Sequence, residues 1–424
     1  MKGLFGIAWR SAWNRRGTLA LVAASIALST ALLLLLERMR HDVRASFAQS
    51  VSGTDLVVGA RTGAVQLMLY SVFHVGGATN NVKVASLEAV ARHRAVSWLV
   101  PVSLGDSHRG FAVLGTTPEY FQRFLYGDRQ PLVLAQGRAF AGTLDGLYEA
   151  VVGAEVAARL GYHPGTRLTL SHGAGGVLGS EHADKPFNVV GVLAPTGTPV
   201  DRAVHVGLMA LEAIHLDWAG GAPLPGVAIR PEDARKFDLQ PKQVTAAFVG
   251  LKSRAAVFVV QRFIADFEAE PLMAVLPGVA LDELWEVVGV GERALLAMTA
   301  LVAVVSLAGL VAVVLAGLNE RRRELAVLRA VGAAPRHVLL LLATEGALVT
   351  AAGAAAGVLA ALAGVAFAAP WVQARFGIGL AGGAPGAGEW ALLGAVLAAG
   401  MLASLVPGWR AYRLSLADGL SPRQ

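Results

Sequence analysis

Five arginines crowd one short gap of this chain: Arg321, Arg322, Arg323, Arg329 and Arg336, set against Glu320 and Glu324. Guanidinium groups at this density suit carboxylates and phosphates, because each planar fork presents paired donors. The ten histidines are the second chemically capable set, and nine of them, all but His337, lie within residues 37–292. His172 and His182 flank the glycine-rich stretch 172–179, and a metal there would need them to converge with a carboxylate such as Glu181 or Asp184. No tight histidine spacing demands this, so the sequence predicts no metal site. The absence of cysteine excludes disulfides, thiolate metal sites and cysteine nucleophiles. The six lysines are Lys2, Lys83, Lys185, Lys236, Lys242 and Lys252, and none follows a glycine. The phosphate-cradling Gly-Lys-Ser/Thr loop is therefore missing, as are a Gly-x-Ser-x-Gly elbow and a His-Glu-x-x-His helix. The sequence predicts no catalytic residue and no cofactor bound by this chain.

The elements that carry these residues are set by composition. Apolar residues make up 55% of the chain and charged residues 16%, against about 25% charged in soluble domains. Residues 18–36, 293–318, 337–369 and 390–409 each approach or exceed the roughly 20 residues that cross a hydrocarbon core. The expected fold is an α-helical membrane protein with four transmembrane helices and a large mixed α/β extracytoplasmic domain, residues 37–292, between the first and second spans. Ahead of the first span, Leu4, Phe5, Ala8, Trp9, Ala12 and Trp13 recur at helical spacing opposite Lys2, Arg10 and Arg15. That pattern predicts a cytoplasmic amphipathic helix over 1–17, lying on the lipid bilayer. The first apolar run is longer than a signal-peptide core, and Glu37-Arg38-Met39-Arg40 offers no cleavage site, so an uncleaved signal-anchor is expected.

Arginine placement predicts sidedness. The loop 319–336 is strongly basic and the tail 410–424 carries Arg410, Arg413 and Arg423, whereas 370–389 holds only Arg375. Positive loops stay inside, which puts both termini and the 319–336 loop in the cytoplasm. The first span is equivocal by itself, because Arg38, Arg40 and Arg44 follow it on the outer side. Residues 37–292 hold 22 basic and 25 acidic residues, and the remainder 14 and 5. The basic excess hugs the spans, so it reports topology and argues against a nucleic-acid partner.

Within 37–292, short strands are expected at Leu56–Val58, Phe111–Leu114, Leu168–Leu170, Phe187–Leu193 and Ala255–Val260. Val151–Leu160 reads as a strand entering a helix closed by Gly161, and Gln261–Glu270 as a helix. Residues 172–179 read as a flexible loop. Leu281–Arg293 should form a helix feeding the second span. In the third span Glu345 is a costly intramembrane carboxylate, for which a structural hydrogen bond to a neighbouring span is favoured over a transport role. Gly353 and Gly357 form a small-xxx-small pattern that suits close helix packing. This span is long enough that a bend near those glycines, or projection past the bilayer, is expected.

On a helix, Leu325, Leu328 and Val331 or Gly332 share one face, flanked by Arg321, Arg322 and Arg329, with Glu320 and Glu324 at the favourable helix start. Spacing alone leaves two readings open: a docking helix for a partner, or a solvated anchor loop. The run Glu320-Arg321-Arg322-Arg323-Glu324-Leu325-Ala326-Val327-Leu328-Arg329-Ala330-Val331-Gly332-Ala333 resembles, nearly residue for residue, the cytoplasmic loop of permease subunits of MacB/FtsX-type ABC transporters. The tail Pro407-Gly408-Trp409-Arg410-Ala411-Tyr412-Arg413-Leu414 is similar to that family's tail, and the stretches 151–170 and 187–206 to its periplasmic core domain.

The resemblance implies a coupling helix in which Glu320, Arg321, Arg322, Glu324, Leu325, Leu328, Arg329 and Gly332 engage a separate, dimeric cytoplasmic ATPase that binds ATP and Mg. It also implies a permease that is itself a homodimer or heterodimer and transmits the ATPase stroke to its external domain, to export or extract a substrate. The resemblance leaves a place for a periplasmic partner on the external domain. The alternative function is regulation of an external cell-wall hydrolase without transport.

Overall fold

The computed structural model describes residues 16–77, 80–173, 182–219, 222–224, 226, 228–320, 327, 330, 332–376 and 383–413. All but the last two residues of the expected amphipathic helix over 1–17 and the tail beyond Arg413 lie outside them, as does most of the glycine-rich stretch. By contact the chain divides into two units. One comprises the described residues up to Asp42, those of Gly289–Trp371 and those beyond Leu380; the other is Val43–Val288 with a short piece of 372–379.

Among the described residues, four helices are long and apolar enough to cross a membrane, over Arg16–Phe47, Pro277–Gly317, Pro335–Val372 and Ala387–Arg410. They outrun the expected spans. The first helix continues to Gln49, and the second is unbroken over 44 residues, Pro277–Glu320, absorbing the expected helix 281–293. The third is likewise continuous over Pro335–Phe376. It runs through Gly353, Gly357 and Pro370 as one element.

The helical unit is held by small residues and a narrow apolar core. Ile26, Leu310, Val314, Leu342 and Val349 pack together, joining the first three helices. A Cβ at Gly353 would lie 2.8 Å from the Ala23 carbonyl oxygen, and one at Gly357 2.7 Å from Thr30 Cβ. The glycine pair is therefore where the third helix meets the first at backbone distance. Gly346 faces Ser404 and Gly400 faces Thr350 between the third and fourth helices. Ser25 and Ser306 share a 2.8 Å hydrogen bond between the first and second.

The second unit is built on an eleven-stranded mixed sheet. Its strands are β1 (Leu56–Ala60), β2 (Val96–His108), β3 (Phe111–Thr116), β4 (Leu134–Gly137), β5 (Glu149–Val152), β6 (Arg167–Leu168), β7 (Ser171–His172), β8 (Phe187–Leu193), β9 (Ala203–Gly207), β10 (Ala246–Leu251) and β11 (Leu272–Val275). The main order is β11-β1-β10-β2-β3-β9-β5-β8-β4, with β7 added to β2 and β6 to β8. Only β9–β3 and β8–β5 are parallel; the other pairings are antiparallel. The 13-residue β2 is central: its first half pairs with β10 and its second with β3.

Successive side chains of a strand point to opposite faces, and the core divides accordingly. Val57, Leu114, Val151 and Phe248 enter one apolar cluster along with Met68 and Tyr120. The alternate residues fill the other face in two separate clusters. Leu56, Val58 and Val249 pack under the helices Val84–Ala91 and Val257–Ala265, while Val113, Ala150 and Val152 pack under Ala154–Leu160 and Leu208–His215. Of the expected strands, Phe187–Leu193 is matched residue for residue, and Gly161 closes its helix at φ +70°. Leu168–Leu170 is strand only through Leu168. Ala255–Val260 is not a strand: Val257, Val260 and Ile264 are buried at helical spacing, and the helix ends at Ala265, well short of Glu270.

Candidate functional site

The expected coupling segment begins where the second long helix stops. Glu320 is its last residue, and Arg321, Arg322, Glu324, Leu325, Leu328 and Arg329 lie outside the described residues. Val327 and Ala330 are helical and exposed, so apolar surface is presented inside the segment. Gly332 sits at φ +102°, a conformation that a side chain would strain. Three residues later the third helix starts with Pro335 at its first position, where a missing N–H costs nothing. The His337 amide donates to the Ala334 carbonyl at 2.8 Å and the Ala334 amide donates to His337 Nδ1 at 3.1 Å. The segment thus ends in a fixed turn. Glu345, two turns further on, is 2% exposed.

The arginines that made the first span equivocal all find carboxylates. Arg38 meets Glu389 through Nε and Nη2, each at 3.1 Å, and Nη2 also donates to the Gly383 carbonyl at 3.0 Å. Glu389 in turn accepts from the Gly386 amide at 2.7 Å. Arg40 lies 3.6 Å from Glu37 and 4.0 Å from Glu292, and Arg44 3.5 Å from Asp282. Only the Arg38 pair is buried; the others sit where water screens them and contribute little.

In the sheet unit, His172 and His182 do come together, but with His215 and Asp106 instead of Glu181 or Asp184. Asp184 pairs at 3.0 Å with Lys185, whose fully buried ammonium also donates to Asp217 at 2.7 Å. Glu181 is outside the described residues. Burial holds the His182 imidazole down at about 4, so the ring is neutral. Asp106 and His215 are far from His172 in sequence, which is why spacing did not reveal them. Two further histidines are held low: desolvation holds the half-buried His74 at about 4, and burial with the charge of His74 holds the fully buried His205 at about 3.

A family model described as the MacB-like periplasmic core domain matches residues 17–246, and one described as the FtsX-like permease C-terminal matches 296–416. The periplasmic region of MacB from Actinobacillus actinomycetemcomitans is similar at 11% identity and a TM-score of 0.33, covering 56% of this chain and 95% of that one. The extracellular domain of the ABC-type transporter YknZ from Gram-positive bacteria is similar at 10% identity and a TM-score of 0.29, covering 52% of this chain and 98% of that one. No curated protein matches. Two matched regions that together take in three of the long helices nearly whole, the second from residue 296 on, and most of the sheet define an ABC-transporter permease class. The chain belongs to the MacB/FtsX-type permease family, whose members are generally non-catalytic subunits that work with a cytoplasmic ABC ATPase.

Proposed function

We propose that this chain receives the stroke of a dimeric cytoplasmic ATPase at residues 319–336 and delivers it to the sheet unit on the outer side, where it drives export or extraction of a substrate. The observation that carries this reading is the second long helix. It starts at Pro277, two residues after β11, and runs unbroken to Glu320 at the head of the arginine segment. At 1.5 Å per residue it is roughly 66 Å long, about twice a hydrocarbon core. One element therefore joins the segment suited to an ATPase groove and the edge strand of the sheet, and no substrate needs to pass between the spans. Leu325 and Leu328 fill the groove, Arg321, Arg322 and Arg329 meet acidic groups at its rim, Glu320 and Glu324 favour the helix start, and Gly332 ends the segment. Two copies of the permease flank the ATPase dimer in the inner membrane.

Both termini are cytoplasmic on this reading. The later loops support it: residues 319–336 are strongly basic, whereas 370–389 hold only Arg375. The deciding experiment is co-purification from the native membrane with and without Leu328→Asp. A nucleotide-binding subunit should accompany the unaltered chain and be lost with the variant. Absence of any such subunit, or unchanged recovery with Leu328→Asp, ends the coupling claim. Stoichiometric recovery of a cell-wall hydrolase on the outer side would replace transport by regulation.

A further inference from the structure

The strongest unassigned constellation is in the sheet unit. Asp106, near the end of β2, pairs in register with His172 of β7. His215 is the last residue of the helix Leu208–His215. His182 follows the glycine-rich stretch, its amide donating to the Leu170 carbonyl at 2.8 Å. One ligand-capable atom from each of these four residues lies within 4.8 Å of the other three.

The spacing is that of a coordination shell. His172 Nδ1 stands 3.2 Å from Asp106 Oδ1 and 3.2 Å from His215 Nε2, and His215 Nε2 stands 3.5 Å from Asp106 Oδ1. Ligands bound tetrahedrally at 2.0–2.1 Å are separated by about 3.3 Å. Tautomers agree with that reading. His215 Nδ1 donates to the Leu211 carbonyl at 2.8 Å, which leaves Nε2 with its lone pair toward the cluster. A backbone acceptor on the far ring nitrogen is how metal-binding histidines are held.

His182 supplies the independent observation. Its side chain is fully buried, and neither ring nitrogen has a hydrogen-bond partner. Hydrogen bonding among Asp106, His172 and His215 accounts for those three and leaves His182 unexplained. Trp218 covers the group, its ring 4.1 Å from that of His182 and 6.1 Å from that of His172. His172 and His215 keep partial exposure, which leaves a route for an ion from solvent.

We infer that Asp106, His172, His182 and His215 form a four-ligand site for a divalent transition metal, with Zn2+ the best fit. Three imidazoles and one carboxylate match zinc's preference in ligand and geometry and are ill suited to Mg2+ or Ca2+, which take mainly oxygen ligands. With every position filled by protein the site is structural. It ties His172 and His182, on either side of residues 173–181, to β2 and to the end of the helix Leu208–His215. The site is independent of ATPase coupling and stands or falls separately.

The test uses the full chain in detergent, stripped with a chelator and titrated with Zn2+ by calorimetry, with metal content read by mass spectrometry. The expected result is one Zn2+ per chain, slower amide exchange on both sides of residues 173–181 once Zn2+ is bound, and tetrahedral visible absorption when Co2+ replaces it. Asp106→Asn and His182→Ala should each weaken binding on the order of tenfold or more, whereas His163→Gln, an exposed histidine elsewhere, should bind as the unaltered chain does. Failure of the stripped, folded, unaltered chain to take up one Zn2+, or an octahedral Co2+ spectrum, overturns the inference without recourse to any variant. Unchanged affinity in folded Asp106→Asn or His182→Ala overturns it as well.

Discussion

Arg38 of the first long helix and Glu389 in the first turn of the fourth are joined by two contacts of 3.1 Å, with side chains 7% and 11% exposed. Removing one member of such a pair strands a buried charge, at a cost of about 3–5 kcal/mol, while replacing both with apolar residues is often neutral. Glu389→Leu should therefore lower the unfolding temperature in detergent sharply. The double variant Arg38→Met with Glu389→Leu should recover most of that loss. A double variant as unstable as the single one would mean that the Arg38 bond to the Gly383 carbonyl carries the effect.

The contact between the first and third helices leaves no room at two positions. Gly353→Leu and Gly357→Leu each drive a side chain into the backbone and Cβ atoms of Ala23, Ile26, Ala27 and Thr30. Overpacking of this kind costs about 1–3 kcal/mol. Gly309→Leu, where a Cβ meets open space, should leave the unfolding temperature within a degree or two of the unaltered chain.

Continuity of the second helix can be tested at Val290, which is 63% exposed on it. Val290→Pro removes one backbone bond and inserts a ring clash, which kinks or breaks a helix. ATPase recovery and ATP hydrolysis should persist while substrate movement is lost. Loss of ATPase recovery would show that residue 290 bears on docking and would count against a purely transmitting role.

Acid sensitivity follows from His74 and His205, held at about 4 and about 3 against an ordinary value near 6.5. Above pH 6.5 both folded and unfolded chains carry them neutral, and their contribution does not change with pH. Below it the unfolded chain takes up protons that the fold refuses, so stability falls as pH drops from about 6.5 toward 4, by about 1.4 kcal/mol per pH unit for each histidine. His205→Leu should flatten this slope in pH-jump unfolding followed by tryptophan fluorescence. An unchanged slope would place the acid response elsewhere.

The chain has no cysteine, so sidedness can be measured without removing any. With both termini inside, Ala330→Cys should react with a membrane-impermeant maleimide only after permeabilisation, whereas Phe237→Cys, exposed on the sheet unit, should react in intact spheroplasts. The reverse pattern would invert the proposed topology.

The four long helices were legible because uncharged runs of that length have few other uses. The small-xxx-small pair was legible in type, but the partner helix was not. At Val257–Ala265 the β-branched residues Val257, Val259 and Val260 suggested a strand, yet Phe258 and Val259 are exposed while Val257, Val260 and Ile264 are buried; burial at helical spacing outweighed β-propensity. The strand Leu272–Val275, between Pro271 and the long helix, is too short to announce itself by alternation. The histidine cluster was hidden for a different reason. His172 is 66 positions from Asp106 and 43 from His215, and only the pairing of β7 with β2 and the placement of a helix end bring them together.

The Arg38–Glu389 pair also has a consequence in time. Its members are separated by 351 positions. At a synthesis rate of about 5–20 residues per second, Arg38 leaves the ribosome roughly 20–70 seconds before its partner exists. Through that interval the first helix must remain in place with an uncompensated guanidinium at one end, and only when the last span arrives does the charge become part of the interior. The pair is therefore a late fastening that closes the helical unit first segment to last, and a chain truncated before Glu389 would lack the carboxylate that compensates Arg38.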